Sequence, residues 1–361
     1  MRVPTLDVTA SCRDLTVALC DIESVSGSER SLADAVEAAM KTFPHLEVLR
    51  NGDAIVARTN LGRDRRVVIA GHLDTVPVND NLPTRIDGEF LVGRGTVDMK
   101  AGVAVQLKLA AELAEPRVDI TWIWYDHEEV SSDLNGLGRL AREQPELLAG
   151  DFAILGEPTR AHVEGGCNGT LRIDVTTRGR RAHSARAWVG INAIHRAAPI
   201  LSLLADYEPR EVEVDGLSYR ESLNAVAITG GVAGNVIPDE CTVTLNYRFA
   251  PSTSGEQAIA HVRELFSGIT GYEVEFTVTD LAEGARPGLT APLAQEFLRA
   301  VGGVAHPKYG WTDVARFSAL GIPAVNYGPG DPLLAHADDE RVHTAEIVEC
   351  ERGLRSWLTG E

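Results

Sequence analysis

Gly71-His72-Leu73-Asp74-Thr75-Val76-Pro77 and Gly93-Arg94-Gly95-Thr96-Val97-Asp98-Met99-Lys100 are the two stretches that decide how this chain folds. The first follows Val67-Val68-Ile69-Ala70, a short run of β-branched character suited to a buried strand. His72 and Asp74 stand where that strand ends. The second stretch runs into residues 100–114, almost all helix formers with apolar side chains nearly all round. That pattern fits a helix buried between a sheet and another layer. Asp119 to Tyr125 and Phe152-Ala153-Ile154-Leu155 are further buried-strand candidates. Upstream, Leu32, Ala35, Val36, Ala39, Met40 and Phe43 fall at helical spacing across 28–43, with Ser28 placed to cap the helix. Asn51-Gly52 between two short β-like runs reads as a hairpin turn. Strands alternating with helices predict an α/β sheet that is largely parallel.

The pattern changes near residue 170. Thr170 to Thr177 alternates as a half-exposed strand, Ile191 to Leu204 reads as a helix, and Leu223 to Ile228 and Cys241 to Phe249 as strands. A helix over Gln257 to Phe266 and a strand over Tyr272 to Thr279 follow. Strand, helix, two strands, helix, strand is the order of a small ferredoxin-like α+β layer. The α/β pattern resumes after about Gly284, with a helix near 292–301, a strand near 323–327 and a closing helix from Thr344. The expected organisation is one domain split between 1–170 and 283–361, with 171–282 inserted.

Metal-capable side chains recur where strands end: His72, Asp98, Glu128-Glu129, Glu157 and His336. Ligand sites of open α/β sheets lie at the carboxyl ends of strands. Taken singly, each has an ordinary alternative: His72 and Asp74 as polar strand-end residues, Glu128-Glu129 as a solvated pair, Glu157 before Pro158 as a strand terminus. The joint pattern reads instead as a ligand list for two divalent metals with a spare carboxylate to act on water, the equipment of a hydrolase. Asp98, short and two-oxygened in a glycine-rich turn, is the natural bridge between two ions. His72 and His336 would supply neutral imidazoles, and Glu129 and Glu157 terminal carboxylates. Glu128 is read as the general base. Asp74 lies two residues after His72, so on extended backbone both point to one side, and its carboxylate would orient a neighbouring ligand or base. A nucleotide-binding enzyme, with Gly93 to Gly95 as a phosphate-binding turn, is a further alternative, disfavoured because GxGxxG is missing and Asp98 stands where its third glycine would be.

Composition narrows the function classes. Lys and Arg total 34 against 52 Asp and Glu, a formal charge of −18. Phosphate binding needs a basic face, so nucleic acid is not an expected partner. The five cysteines are scattered without CxxC, as in reduced packing cysteines. No basic-then-apolar leader and no window of ~18 unbroken apolar residues is present, so the expectation is a cytoplasmic protein with no membrane partner.

The metal-capable segments together resemble the M20 family of di-zinc amidohydrolases and peptidases, over essentially the whole chain. Gly165-Gly166-Cys167-Asn168-Gly169-Thr170, Arg181-Ala182-His183-Ser184-Ala185-Arg186, Gly230 to Pro238, Lys308 to Phe317 and Asn326 to Pro332 are similar to an actinobacterial subgroup of that family. The resemblance to that subgroup implies hydrolysis of N-succinyl-L,L-2,6-diaminopimelate in lysine and cell-wall precursor synthesis. The resemblance implies a zinc-binding α/β catalytic domain with an inserted ferredoxin-like lid that makes a homodimer. It implies two Zn2+ per subunit, with Co2+ or Mn2+ as alternatives at one site: one ion on His72, Asp98 and Glu157, the other on Asp98, Glu129 and His336. It further implies a cis peptide after Asp98. His183 and Asn235 fall where the family stabilises the oxyanion, His183 acting across the dimer. Arg248 matches an arginine for a substrate carboxylate, and Thr312 a threonine at the diaminopimelate end. The family's common Gly-Gly-Thr-Ser-Asp-Gly-Arg run is replaced by Gly310-Trp311-Thr312-Asp313-Val314-Ala315-Arg316, which leaves the carboxylate pocket open. Another M20 deacylase, such as an acetylornithine deacetylase, or a dipeptidase, and a non-catalytic metal-binding or assembly protein on the same scaffold, remain as alternatives.

Overall fold

A computed structural model describes residues 3–360. They form two compact units, one of residues 3–165, 287–306 and 316–360, the other of 166–286 and 307–315. The segment 307–315, which the sequence pattern groups with the flanking α/β halves, packs in the second unit.

The first unit is built around a mixed sheet. Its strands lie in the order Glu47–Asn51, Ala54–Arg58, Asp119–Tyr125, Arg66–His72, Phe152–Leu155, Ala324–Asn326, Val163–Gly165 and Ala305–Pro307. The central pairs are parallel, and the pairs on either side of them are antiparallel. Every residue of Asp119–Tyr125 is buried, which is why Trp122 to Tyr125 form a continuous apolar run rather than an alternation. The helix Lys100–Glu112 is likewise buried on nearly all sides. It can lie close because of Gly102, where a Cβ would stand 2.3 Å from the carbonyl oxygen of Gly156. The buried Lys100 ammonium donates to Leu19 O at 3.1 Å and Ile22 O at 3.0 Å, satisfying carbonyls at the end of the helix Cys12–Cys20. Gly52 takes φ +62° between the paired strands Glu47–Asn51 and Ala54–Arg58, the hairpin expected at Asn51-Gly52.

One local expectation fails. The early helix spans Arg30–Met40, and Glu29, not Ser28, occupies the position before it. Glu29 makes no side-chain cap, because its carboxylate instead accepts from Gly27 N at 2.9 Å and His127 N at 3.1 Å.

The second unit holds a four-stranded antiparallel sheet in the order Ser222–Gly230, Glu240–Phe249, Gly169–Arg178, Val274–Ala282. In chain order that is 2-3-1-4, the ferredoxin-like arrangement expected from the element order. Buried and less buried residues alternate along Gly169–Arg178 and Glu240–Phe249. The inward set packs with Ala193, Ala197 and Ile200 of the helix Ala193–Ala205 and Ala258 and Val262 of the helix Gly255–Leu265. Among the described residues no helix is long and apolar enough to cross a membrane. All five cysteines are free and buried.

Candidate metal centre

The parallel strands of the first unit deliver three parts of the site at their carboxyl ends. His72 closes Arg66–His72, Glu128 and Glu129 follow Asp119–Tyr125, and Glu157 comes two residues after Phe152–Leu155. Two ligand candidates arrive differently from the sequence expectation. Asp98 lies in the turn that enters the helix Lys100–Glu112, and His336 lies in the loop after the short helical turn Pro332–Leu334, ten residues beyond Asn326.

Three groups of side chains bring their ligand atoms within 4.8 Å of one another: His72, Asp98 and Glu157; His72, Glu128 and Glu129; and Asp98, Glu129 and His336. His72 Nε2 lies 3.1 Å from Asp98 Oδ1. His336 Nε2 lies 3.4 Å from Asp98 Oδ2 and 3.0 Å from Glu129 Oε1. Asp98 thus presents one oxygen to each imidazole, and it belongs to both outer groups. The Asp98–Met99 peptide is cis.

Consecutive Glu128 and Glu129 would diverge on a regular strand. They converge here because the chain turns at His127, which takes φ +59°. Asp74 fixes that turn. Its Oδ1 accepts from Glu128 N at 3.0 Å and its Oδ2 from Glu129 N at 3.0 Å, with Ser26 Oγ donating to Oδ2 at 2.6 Å. The same carboxylate stands 3.5 Å from His72 Nδ1, and the Asp74 carbonyl contacts that nitrogen at 3.0 Å. A bond from Nδ1–H to that carbonyl would leave Nε2 free to face the site.

Electrostatics follow from this crowding. Burial works against a charge on His72, yet its hydrogen bonds to Asp74 and Asp98 prevail and raise its pKa well above the ordinary imidazole value. The hydrogen bonds from His336 to Asp98 and Glu129 raise it to about 10. Asp98 is held well below the usual carboxylate range: the two imidazoles outweigh its burial. Asp74 is lowered to about 2 despite burial, chiefly by His72 and then by Ser26 and the Glu129 amide. Glu129 is pushed up by burial and by the neighbouring Asp98 charge. The carboxylates that favour a proton on His72 and His336 are the same ones that cations would neutralise. A donor set of imidazole nitrogens and carboxylate oxygens fits zinc, whereas magnesium and calcium favour oxygen alone.

Four other residues singled out from the sequence belong to the second unit. His183 and Asn235 are neighbours there: His183 pairs with Val236 across the two short strands Ala182–His183 and Val236–Ile237, and Ser184 N donates to Asn235 O at 2.9 Å. Both are exposed. Ala185 N donates to His183 Nδ1 at 3.1 Å, which in the neutral ring leaves the proton on Nε2. Arg248 is half-buried on Glu240–Phe249, donates to Asn246 Oδ1 at 3.1 Å and makes no ion pair among the described residues. Burial, then the Arg172 charge, lowers its pKa. Thr312 is buried, and its carbonyl accepts from Cys167 Sγ at 3.7 Å.

Sequence reasoning did not find Ser26, Arg94 or Glu340, all tied to the site. Each is an ordinary polar residue whose importance depends on partners far away in the chain.

The peptidase family M20/M25/M40 model matches residues 68–359. A putative succinyl-diaminopimelate desuccinylase of Mycobacterium tuberculosis is 53% identical over 356 residues, covering 98% of this chain and 100% of the relative. The succinyl-diaminopimelate desuccinylase of Corynebacterium glutamicum is 48% identical over 363 residues, covering 99% and 98%. Among solved structures, the Bacillus subtilis YXEP protein, described as a dinuclear metal-binding peptidase of family M20, shares the fold with a TM-score of 0.71 at 16% identity, covering 98% of each chain. A match across most of the chain, together with the convergent imidazoles and carboxylates, establishes that the chain belongs to the M20/M25/M40 peptidase family and is a metal-dependent hydrolase.

Proposed function

We propose that this enzyme hydrolyses the succinyl amide of N-succinyl-L,L-2,6-diaminopimelate, releasing succinate and L,L-2,6-diaminopimelate for lysine and cell-wall precursor synthesis. The observation that carries the reading is full-length identity of about half to two relatives named for that reaction. The convergence of Glu128 with the candidate ligands supports it from the chemistry.

In this reading His72, Asp98 and Glu157 hold one zinc ion and Asp98, Glu129 and His336 the other, with cobalt or manganese as alternatives at one site. When bound, such a pair lowers the pKa of water from ~15.7 toward about 7 and polarises the amide carbonyl. Glu128 takes the proton of the attacking water and returns it to the leaving amine, a role for which its place beside His72 and Glu129 suits it. Asp74 holds the Glu128-Glu129 backbone and the His72 ring in register. His183 and Asn235 serve as donors to the oxyanion, and the proton that His183 keeps on Nε2 favours that role. Arg248, which makes no ion pair among the described residues, receives a substrate carboxylate, for which its planar fork is suited. Thr312 contacts the diaminopimelate end.

The enzyme acts as a homodimer through the inserted unit. Ser222–Gly230 is an edge strand, exposed from Asn224 onward, with Val226 and Ile228 open to solvent beside Ile194 and Leu201 of the helix Ala193–Ala205. A long apolar edge of this kind needs a cover, and a second copy supplies one.

The deciding experiment compares zinc-loaded enzyme on succinyl-diaminopimelate, acetylornithine and a set of dipeptides. The proposal expects kcat/KM on the succinylated substrate to exceed the others by at least about 100-fold. Equal or greater turnover of acetylornithine or a dipeptide would assign the enzyme to another branch of the family.

A further inference from the structure

A buried ion pair outside the converging ligands touches two of the turns that carry them. Arg94 is 3% exposed and Glu340 1%, with Arg94 Nη1 2.8 Å from Glu340 Oε2. The other Glu340 oxygen accepts from Val97 N at 2.9 Å and Asp98 N at 3.1 Å, although 242 residues separate Asp98 from Glu340. Gly93 N donates to Glu340 O at 2.9 Å, and Glu340 N donates to Ala337 O at 3.3 Å. Arg94 also reaches Ala337 O at 3.3 Å and His336 O at 3.5 Å. One carboxylate and one guanidinium therefore join the Asp98 turn to the His336 loop through backbone groups alone. His336 sits at φ +65°. That region costs a residue with a side chain about 1–3 kcal/mol and persists only where the surroundings over-determine it.

We propose that Arg94 and Glu340 are positioning residues that lock the Asp98 turn and the His336 loop into one frame, so that the Asp98–Glu129–His336 ligand set is formed before a metal arrives. The proposal rests on the reading of Asp98 as a shared ligand. Two of the three residues in that set hang on the pair. In the set of His72, Asp98 and Glu157 only Asp98 does, because His72 is fixed by its strand and by Asp74. Loosening the pair therefore weakens one ion more than the other. A merely structural ion pair would lower stability without that asymmetry.

Glu221 supplies the control. It too is a fully buried carboxylate, bound by Arg210 Nε at 2.7 Å, Tyr247 Oη at 2.9 Å and Ala250 N at 3.0 Å, but in the second unit. Metal-free wild type and the Glu340→Gln, Arg94→Lys and Glu221→Gln variants are titrated with Zn2+ against a chromophoric chelator, and their melting temperatures are recorded. Wild type takes up two ions. Glu340→Gln and Arg94→Lys lose about 10–100-fold in affinity at one step, the range for removing a partner that orients ligands. Their other step changes by less than about threefold. Glu221→Gln melts lower yet binds both ions as wild type does. Should Glu340→Gln fail to fold, Arg94→Lys decides, since it keeps a positive charge beside Glu340 and removes the forked reach to Ala337 and His336. Two wild-type affinities in both pair variants would overturn the proposal. Fewer than two ions on wild type would instead overturn the dinuclear reading beneath it.

Discussion

Asp74→Asn is the most informative single substitution, because its cost can be worked out from the contacts. The carboxylate oxygens face Glu128 N and His72 Nδ1 on one side, and Glu129 N and Ser26 Oγ on the other. An amide offers one oxygen and one NH2, so one side must oppose donor to donor. Ser26 can rotate its hydroxyl to accept, which favours placing the NH2 toward Ser26 and leaving Glu129 N without a partner. A buried orphaned donor costs about 1–3 kcal/mol. The depression of the Asp74 pKa from 3.8 to about 2, which arises from the same contacts, corresponds to roughly 2 kcal/mol. The variant should thus be less stable by about 2–3 kcal/mol, or about 4–12 °C in melting temperature for a domain of this size. The sign of the pH dependence follows from a depressed carboxylate. The contribution is present above the unfolded value near 3.8 and is lost as pH falls through about 2. Melting curves of metal-free wild type and Asp74→Asn, from pH 7 down to 3, should therefore converge as pH drops below about 4. Turnover should fall more than stability accounts for, since the freed Glu129 amide lies beside the Glu128 base. A loss under 0.5 kcal/mol, or a gap that stays constant down to pH 3, would refute this account of Asp74.

Glu128→Gln should retain both metals and lose about 10²–10⁴-fold in kcat, measured on metal-loaded protein with zinc content determined in parallel; turnover within a few-fold of wild type would remove Glu128 as the base. In the metal-free protein His336, raised to about 10, carries a proton at neutral pH that zinc must displace. Calorimetric zinc titrations in buffers of different ionisation enthalpy should therefore report net proton release, with affinity rising from pH 6 toward 9; a pH-independent affinity contradicts the imidazolium–carboxylate cluster. Val226→Lys with Ile228→Lys on the exposed edge strand should convert a dimer to a monomer in sedimentation at micromolar concentration without unfolding it, and an unchanged mass would place any dimer contact elsewhere.

Much of the fold is legible in the sequence because burial writes itself as composition. Asp119–Tyr125 and Phe152–Leu155 have the bounds that their apolar runs suggest, and the order of elements after residue 170 matches the 2-3-1-4 sheet. What escapes the sequence lacks such a signal. The strands Arg85–Asp87 and Phe90–Val92 pair in a small separate sheet, and Arg85–Asp87 is exposed throughout. The helix at Arg30 starts late because Glu29 is drawn toward Gly27 and His127 rather than capping its own helix. The metal-capable residues can be picked out because each is a His, Asp or Glu, with His72 and Glu157 beside glycine, Asp98 in a glycine-rich turn and Glu128-Glu129 just past an apolar run. The groups that hold them cannot: Ser26 reaches Asp74 across 48 residues and Glu340 reaches Asp98 across 242. Nor does composition reveal that His183 and Asn235 are neighbours, since that depends on two-residue strands too short to show periodicity.

The central claim is that one carboxylate is shared between two cations, and anomalous diffraction from zinc-loaded crystals tests it without recourse to activity. Two peaks roughly 3.5–4 Å apart, one on each side of the Asp98 carboxylate, are the predicted result. A single peak, or a pair that Asp98 does not touch, would contradict it.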